Sequence, residues 1–148
     1  MKRCAQLVAV LAVGAVLFST VGCNKLKARD QLNKGVQSYR GANYEQAIEH
    51  FKNAVYLDND LKVAKMYLAT AYAQQYVPGV VTPDNIRNAQ QAIDEYKKVL
   101  ENDSQNVTSL KGIAFLYMQQ KKFDDAREYY KKAIDADPND PETYYSVA

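Results

Sequence analysis

Tryptophan is absent from the 148 residues, histidine occurs once, cysteine twice, proline four times and glycine six times. The scarcity of cysteine, histidine and glycine excludes several chemistries. Both cysteines, Cys4 and Cys23, belong to one N-terminal apolar run or its end, so no disulfide framework can staple the chain. The single histidine, His50, allows neither a histidine-based metal cluster nor a relay between two imidazoles. Its place between Glu49 and Phe51 reads as a solvated position on an outer helix face. The few glycines form no phosphate-cradling loop. The acidic neighbours Asp94-Glu95 and Asp124-Asp125 fall on different faces of any helix that carries them, which rules out paired acid-base work. No catalytic residue, metal ligand, cofactor or small-molecule substrate is expected, and the chain does not read as an enzyme.

Long hydrophobic runs are also lacking, with one exception. Lys2 and Arg3 precede an apolar stretch from Leu7 to Phe18, and small residues follow, which is the order of a secretory leader. About 20 apolar residues are needed to cross a bilayer as a helix. The run from Cys4 to Cys23 reaches that length only by counting Gln6, Ser19 and Thr20. A cleaved leader therefore fits better than a retained anchor. The sequence Ser19-Thr20-Val21-Gly22-Cys23 at its end resembles the lipobox of bacterial lipoproteins. That resemblance implies that residues 1–22 are a lipoprotein signal peptide, that Cys23 carries a thioether-linked diacylglycerol, and that the new amine is acylated. The alternative is a free thiol at an ordinary signal-peptide junction. Several acyl chains, each methylene contributing about 0.8 kcal/mol, hold a protein on a membrane stably. Asn24 after the anchor favours the outer membrane, with the domain facing the periplasm. Residues 23–28 would then be the lipidated cysteine and a short tether spanning at most roughly 20 Å.

An excess of one charge is missing as well. Removing the leader takes Lys plus Arg from 19 to 17, against 17 Asp plus Glu. A neutral chain has no electrostatic footprint for nucleic acid. The pairs Lys97-Lys98, Lys121-Lys122 and Lys131-Lys132 stand close to Asp94, Glu95, Asp124, Asp125 and Glu128, as on solvated helix faces. Asn106-Val107-Thr108 has the form of a glycosylation acceptor, which the bacterial leader makes irrelevant.

The remaining residues contain an internal repeat. The segments "NYEQAIEHFKNAVYLDND", "NAQQAIDEYKKVLENDSQ" and "KFDDAREYYKKAIDADPND" each place a small residue, an aromatic four later, a small or β-branched residue three after that, and then a polar turn. The matched alanines are Ala47, Ala92 and Ala126, separated by 45 and then 34 residues. A period of 34 with this pattern resembles the tetratricopeptide repeat. The third copy carries Ile113, Ala114 and Tyr117, then Ala126, Tyr130, Ala133 and Pro138. The second carries Leu68, Ala69 and Tyr72, then Ala92, Tyr96 and Val99. The first has Gly35, Ala47, Phe51 and Ala54, and a fourth opens with Pro141, Tyr144, Tyr145, Val147 and Ala148. The resemblance implies an all-α fold, a right-handed α-solenoid of stacked helix-turn-helix units with about three repeats plus the start of a fourth. Residues 29–148 form the domain, with repeats near 29–60, 61–105, 106–140 and a partial 141–148.

The residues alone support the same architecture. Ala47, Phe51 and Ala54 share one helical face beside Ile48. Small residues at Gly35, Ala69 and Ala114 let backbones approach, while Phe51, Tyr96 and Tyr130 fill the space beside them. Turn chemistry at residues 40–43, 58–60, 102–106 and 137–141 marks the breaks, and no period-two pattern competes. Eleven residues interrupt the period inside the second copy, near 76–88. Thr82-Pro83 there reads as an N-cap with proline in the first turn. Tyr76, Val77, Val80 and Val81 are left in a protruding apolar loop, either a tolerated insertion or a partner-contact element.

Stacked helix pairs curve around an extended concave face, and by resemblance the first helix of each pair lines it. Leu32, Val36, Tyr39, Val63, Met66, Tyr67, Thr70, Lys111, Phe115 and Met118 are the candidate protein-binding residues. The alternative is that many of these pack between repeats, as apolar residues at helical spacing usually do. Some proteins of this kind clamp a C-terminal carboxylate with Lys, Asn and Arg. The matching positions here are Leu32, Val36, Tyr67, Thr108 and Gly112, so that chemistry is not expected. The partners expected are proteins or peptides, with the membrane reached through the lipid. The function expected is a periplasmic scaffold or adaptor. The alternatives are a chaperone-like holder of clients, or the N-terminal part of a longer protein carrying another domain.

Overall fold

A computed structural model describes residues 22–141, 143 and 144. Residues 1–21 of the leader and the last residues of the fourth copy, Tyr145, Val147 and Ala148, lie outside the described residues. Helix α1 covers 22–40, followed by α2 (Tyr44–Leu57), α3 (Lys62–Gln75), α4 (Pro83–Leu100), α5 (Val107–Gln119) and α6 (Phe123–Ala136). Residues 141, 143 and 144 are again helical, and the described residues contain no strand. Helix α2 packs on α3, α3 on α4, α4 on α5 and α5 on α6, while α3 also touches α5. The all-α stack of helix pairs expected from the repeat is the observed fold.

The turns repeat as the sequence does. Within the first pair the chain reverses through Ala42 at φ 59°, and within the third through Lys121 at φ 60°. In both, the following N–H reaches back five residues: Asn43 N donates to the Ser38 carbonyl and Lys122 N to the Tyr117 carbonyl, each at 2.9 Å. This left-handed closure satisfies carbonyls that a helix end leaves open. Between pairs, Asp58 and Asp137 end their helices in extended conformations, and their side chains accept from Asp60 N at 3.2 Å and Asn139 N at 3.1 Å.

The core follows the small-and-aromatic register. Ala47, Ala54, Ala69, Ala92, Ala114, Ala126 and Ala133 have no exposed surface. Phe51 is fully buried, which contributes about 1.5–3 kcal/mol. Only a glycine fits beneath it: a Cβ on Gly35 would stand 2.5 Å from Phe51 Cε1. One cluster runs from Ala47 on α2 to Leu116 on α5, and a smaller one joins Ala114, Ala126 and Tyr130.

Residues 23–28, read from the sequence as the lipidated cysteine and a short tether, are helical within α1, and Ala28 is fully buried. One sequence expectation differs from the structure: His50 Nδ1 sits half-buried 2.9 Å from Gln31 Oε1 of α1 instead of being fully solvated.

The eleven-residue insertion is divided unevenly. Measured back from the matched alanines Ala92 and Ala126, six of its residues lengthen the start of α4, four lengthen the preceding loop and one lengthens α3. Thr82 caps α4, its side chain accepting from Asn85 N at 3.4 Å, with Pro83 in the first turn. That is the early helix start the Thr-Pro pair predicts.

Candidate functional site

Helices α3 and α5 border a groove of about 460 Å³, closed at one end by the insertion loop. Its floor is built by α4. Tyr96 reaches between the two border helices, with its hydroxyl 3.1 Å from Thr70 Oγ1. The Thr70 hydroxyl is held in turn at 2.9 Å from the Met66 carbonyl of its own helix. Burial pushes the Tyr96 phenol above its ordinary pKa, so it stays neutral and serves as a hydrogen-bonding floor. The ring fits because position 112 carries no side chain: a Cβ on Gly112 would lie 2.6 Å from Tyr96 Cε2 and Cζ.

The walls differ in character. Phe115 on α5 is 51% exposed and is the large apolar side chain offered to the opening. Lys111, one turn earlier, pairs with Asp140 Oδ2 at 2.9 Å, and the same oxygen accepts from the buried Thr143 hydroxyl at 2.6 Å. That lysine ties α5 to the helical segment that follows α6. Ala73, Gln74, Tyr76 and Pro78 complete the opposite side.

The loop at the groove's end is fastened by Asn85. Its Oδ1 accepts from Val77 N at 2.7 Å, and its Nδ2 donates to the carbonyls of Val77 at 2.8 Å and Val80 at 2.7 Å. Asn85 is itself buried. The apolar loop therefore has a fixed shape, with Tyr76 packed against the core and Val77, Val80 and Val81 exposed.

Of the ten candidate groove residues, the structure brings Thr70, Lys111 and Phe115 together. Leu32, Val36 and Tyr39 pack against the main core cluster, and Met118 packs against the smaller one. Met66 is half-buried and contributes its carbonyl. Val63 is exposed away from the groove lining. Tyr67 stacks on Phe51 at 5.4 Å between ring centroids and meets Tyr39 edge-on at 6.4 Å. Tyr39 also packs edge-on against Tyr44, and burial, followed by the Tyr44 and Tyr67 hydroxyls, raises its pKa. Sequence reasoning missed Asn85 and the role of Gly112. The second had a usable signal, since a glycine inside a helix costs about 1 kcal/mol and implies a close approach. Cys23 is an exposed free thiol within α1. Among the described residues no cluster of His, Cys, Asp and Glu could hold a metal, and no helix is long and apolar enough to cross a membrane.

Residues 87–148 match the family model of the tetratricopeptide repeat. The fold is shared with solved tetratricopeptide domains. The Arabidopsis OM64 domain is 16% identical with a TM-score of 0.70, the match covering 84% of this chain and 93% of that one. The first such domain of Spaghetti (RPAP3), bound to an HSP90 peptide, is 15% identical with a TM-score of 0.70, covering 83% and 89%. The second domain of human RPAP3, in complex with an HSP70 peptide, is 13% identical with a TM-score of 0.66, covering 86% and 94%. No curated protein sequence matches the chain.

Proposed function

We propose that the protein is a lipid-anchored adaptor of the bacterial cell envelope. In this reading it faces the periplasm from the outer membrane, and it holds a partner protein or peptide in the groove between α3 and α5. The observation that carries the binding role is Phe115, half exposed opposite Tyr76 and Pro78 over the polar floor of Tyr96 and Thr70. An apolar wall with a few placed polar groups fits a peptide side chain. A groove of this volume takes part of a partner and leaves the rest on the helix faces. Two of the structural neighbours are complexes with HSP90 and HSP70 peptides. The clamp positions here hold Leu32, Val36, Tyr67, Thr108 and Gly112, and Gly112 is covered by the Tyr96 ring, so the peptide recognised is of another kind. The anchor rests on the leader and Cys23, and the adaptor would act in envelope assembly, secretion or pilus biogenesis.

Phe115→Glu tests the groove. It should abolish partner capture while leaving the melting temperature within a few degrees, because the side chain is half exposed. Unchanged capture would contradict the groove as the binding site.

A further inference from the structure

The insertion creates a second cleft, outside the groove, on the edge of the stack. Its volume is about 460 Å³. One wall comes from the loop and the added turns of α4, where Val80, Val81 and Ile86 are all exposed, Val81 by 84%. The other comes from the turn between α5 and α6, which contributes Lys121 and Lys122. No carboxylate lines the cleft among the described residues. Of the neighbouring acids, Asp84 pairs with Arg87 at 2.6 Å, Asp124 with Arg127 at 3.4 Å and Asp94 accepts from Gln90 at 2.8 Å, while Asp125 in the first turn of α6 stands outside the cleft lining. Among the described residues neither lysine is ion-paired, and the Lys122 ammonium lies 5.5 Å from the Tyr117 ring centroid.

We propose that this cleft docks a segment of the partner protein that carries an acidic side chain close to an apolar one. The inference rests on the protein-binding reading and adds the chemistry of the partner. An inserted loop costs little whatever its composition, so spacing alone does not call for three open aliphatic side chains facing two open ammoniums. The complementary ligand brings a carboxylate to Lys121 and Lys122 and an aliphatic side chain to Val80, Val81 and Ile86. Tyr76 lines both this cleft and the groove, so one extended segment can pass from one to the other. The apolar and basic groups line one cleft, whereas a membrane-binding patch needs them on one outward surface.

The test is selection of random short peptides displayed on phage against the full-length protein in lipid nanodiscs, repeated with two variants. Lys121→Gly combined with Lys122→Ser removes both charges. Glycine suits the positive φ at 121 and serine is a better cap for α6 than lysine, so stability should hold or rise. Val81→Asp alters the apolar wall at an exposed site. The expected result is a consensus of Asp or Glu beside an aliphatic residue, with enrichment falling about tenfold in both variants. A consensus without acidic residues, or one insensitive to both variants, would overturn the inference. The adaptor reading would survive that outcome if Phe115→Glu abolished the enrichment. No enriched peptide at all would count against both. Binding of the protein to phosphatidylglycerol vesicles that both variants weaken, with no peptide consensus, would overturn it in favour of a lipid surface.

Discussion

The Tyr96 ring occupies the space that a side chain on Gly112 would need, with a Cβ there only 2.6 Å from Cε2 and Cζ. This contact joins the second helix of one pair to the first helix of the next, and it forms the floor of the groove. Gly112→Ala should therefore destabilise the fold by about 1–3 kcal/mol through overpacking, even though alanine is the better helix former. Urea unfolding followed by circular dichroism measures it. Tyr96→Leu in the same chain should recover part of the loss.

Alkaline titration should separate the tyrosines. Tyr96 and Tyr39 have pKa values raised by burial, while an unfolded tyrosine titrates near 10. A group whose folded pKa lies above its unfolded value stabilises the fold below the unfolded pKa. That contribution is lost as the pH rises through the folded one. Stability should thus be flat with respect to these two phenols below about pH 10 and fall above it. In absorbance at alkaline pH, Tyr96→Phe should remove a late-ionising phenol.

Asn85→Ala should release the insertion loop. Three side-chain hydrogen bonds to the backbone of Val77 and Val80 disappear, which costs about 1–3 kcal/mol. Hydrogen exchange at the Val77 amide should quicken sharply, with little change in α2 or α6. Unaltered exchange would show that the loop holds its shape without this clasp.

The architecture was legible because a stacked helix pair needs small residues where backbones meet and aromatics beside them. Gly35, Ala47, Phe51, Ala92, Tyr96 and Ala126 state that need directly. The groove was less legible. Leu32, Val36 and Tyr39 recur at helical spacing as concave-face residues would, and they are half-buried against the core. A 3.6-residue period places a residue on a face without saying what covers that face. Asn85 was invisible for another reason: its partners are backbone groups of a loop whose path the sequence does not specify. The loop was read as protruding at Tyr76, Val77, Val80 and Val81; the three valines are exposed and Tyr76 packs against the core, while the polar residue that shapes the loop was passed over.

Ser109 offers a stabilising change. Its hydroxyl is fully buried on α5 and has no hydrogen-bond partner among the described residues. Ser109→Ala removes an unsatisfied polar group and improves helix propensity, so it should raise stability by about 1 kcal/mol. The melting temperature should rise accordingly, and a fall would show that the hydroxyl is satisfied in solution.

Membrane attachment through Cys23 has its own check. Cys23→Ser should move the protein from the membrane to the soluble fraction of broken cells, and retention through detergent-free washes would contradict the lipid anchor.

The central claim is that the groove between α3 and α5 holds a specific protein partner. The most direct measurement is photocrosslinking in intact cells from a photoreactive phenylalanine analogue at Phe115, with one at the exposed Tyr56 as the outward-facing control. The adaptor account predicts one dominant envelope protein attached at position 115 and absent at 56. The same diffuse set of products at both positions, or none at 115, would contradict it.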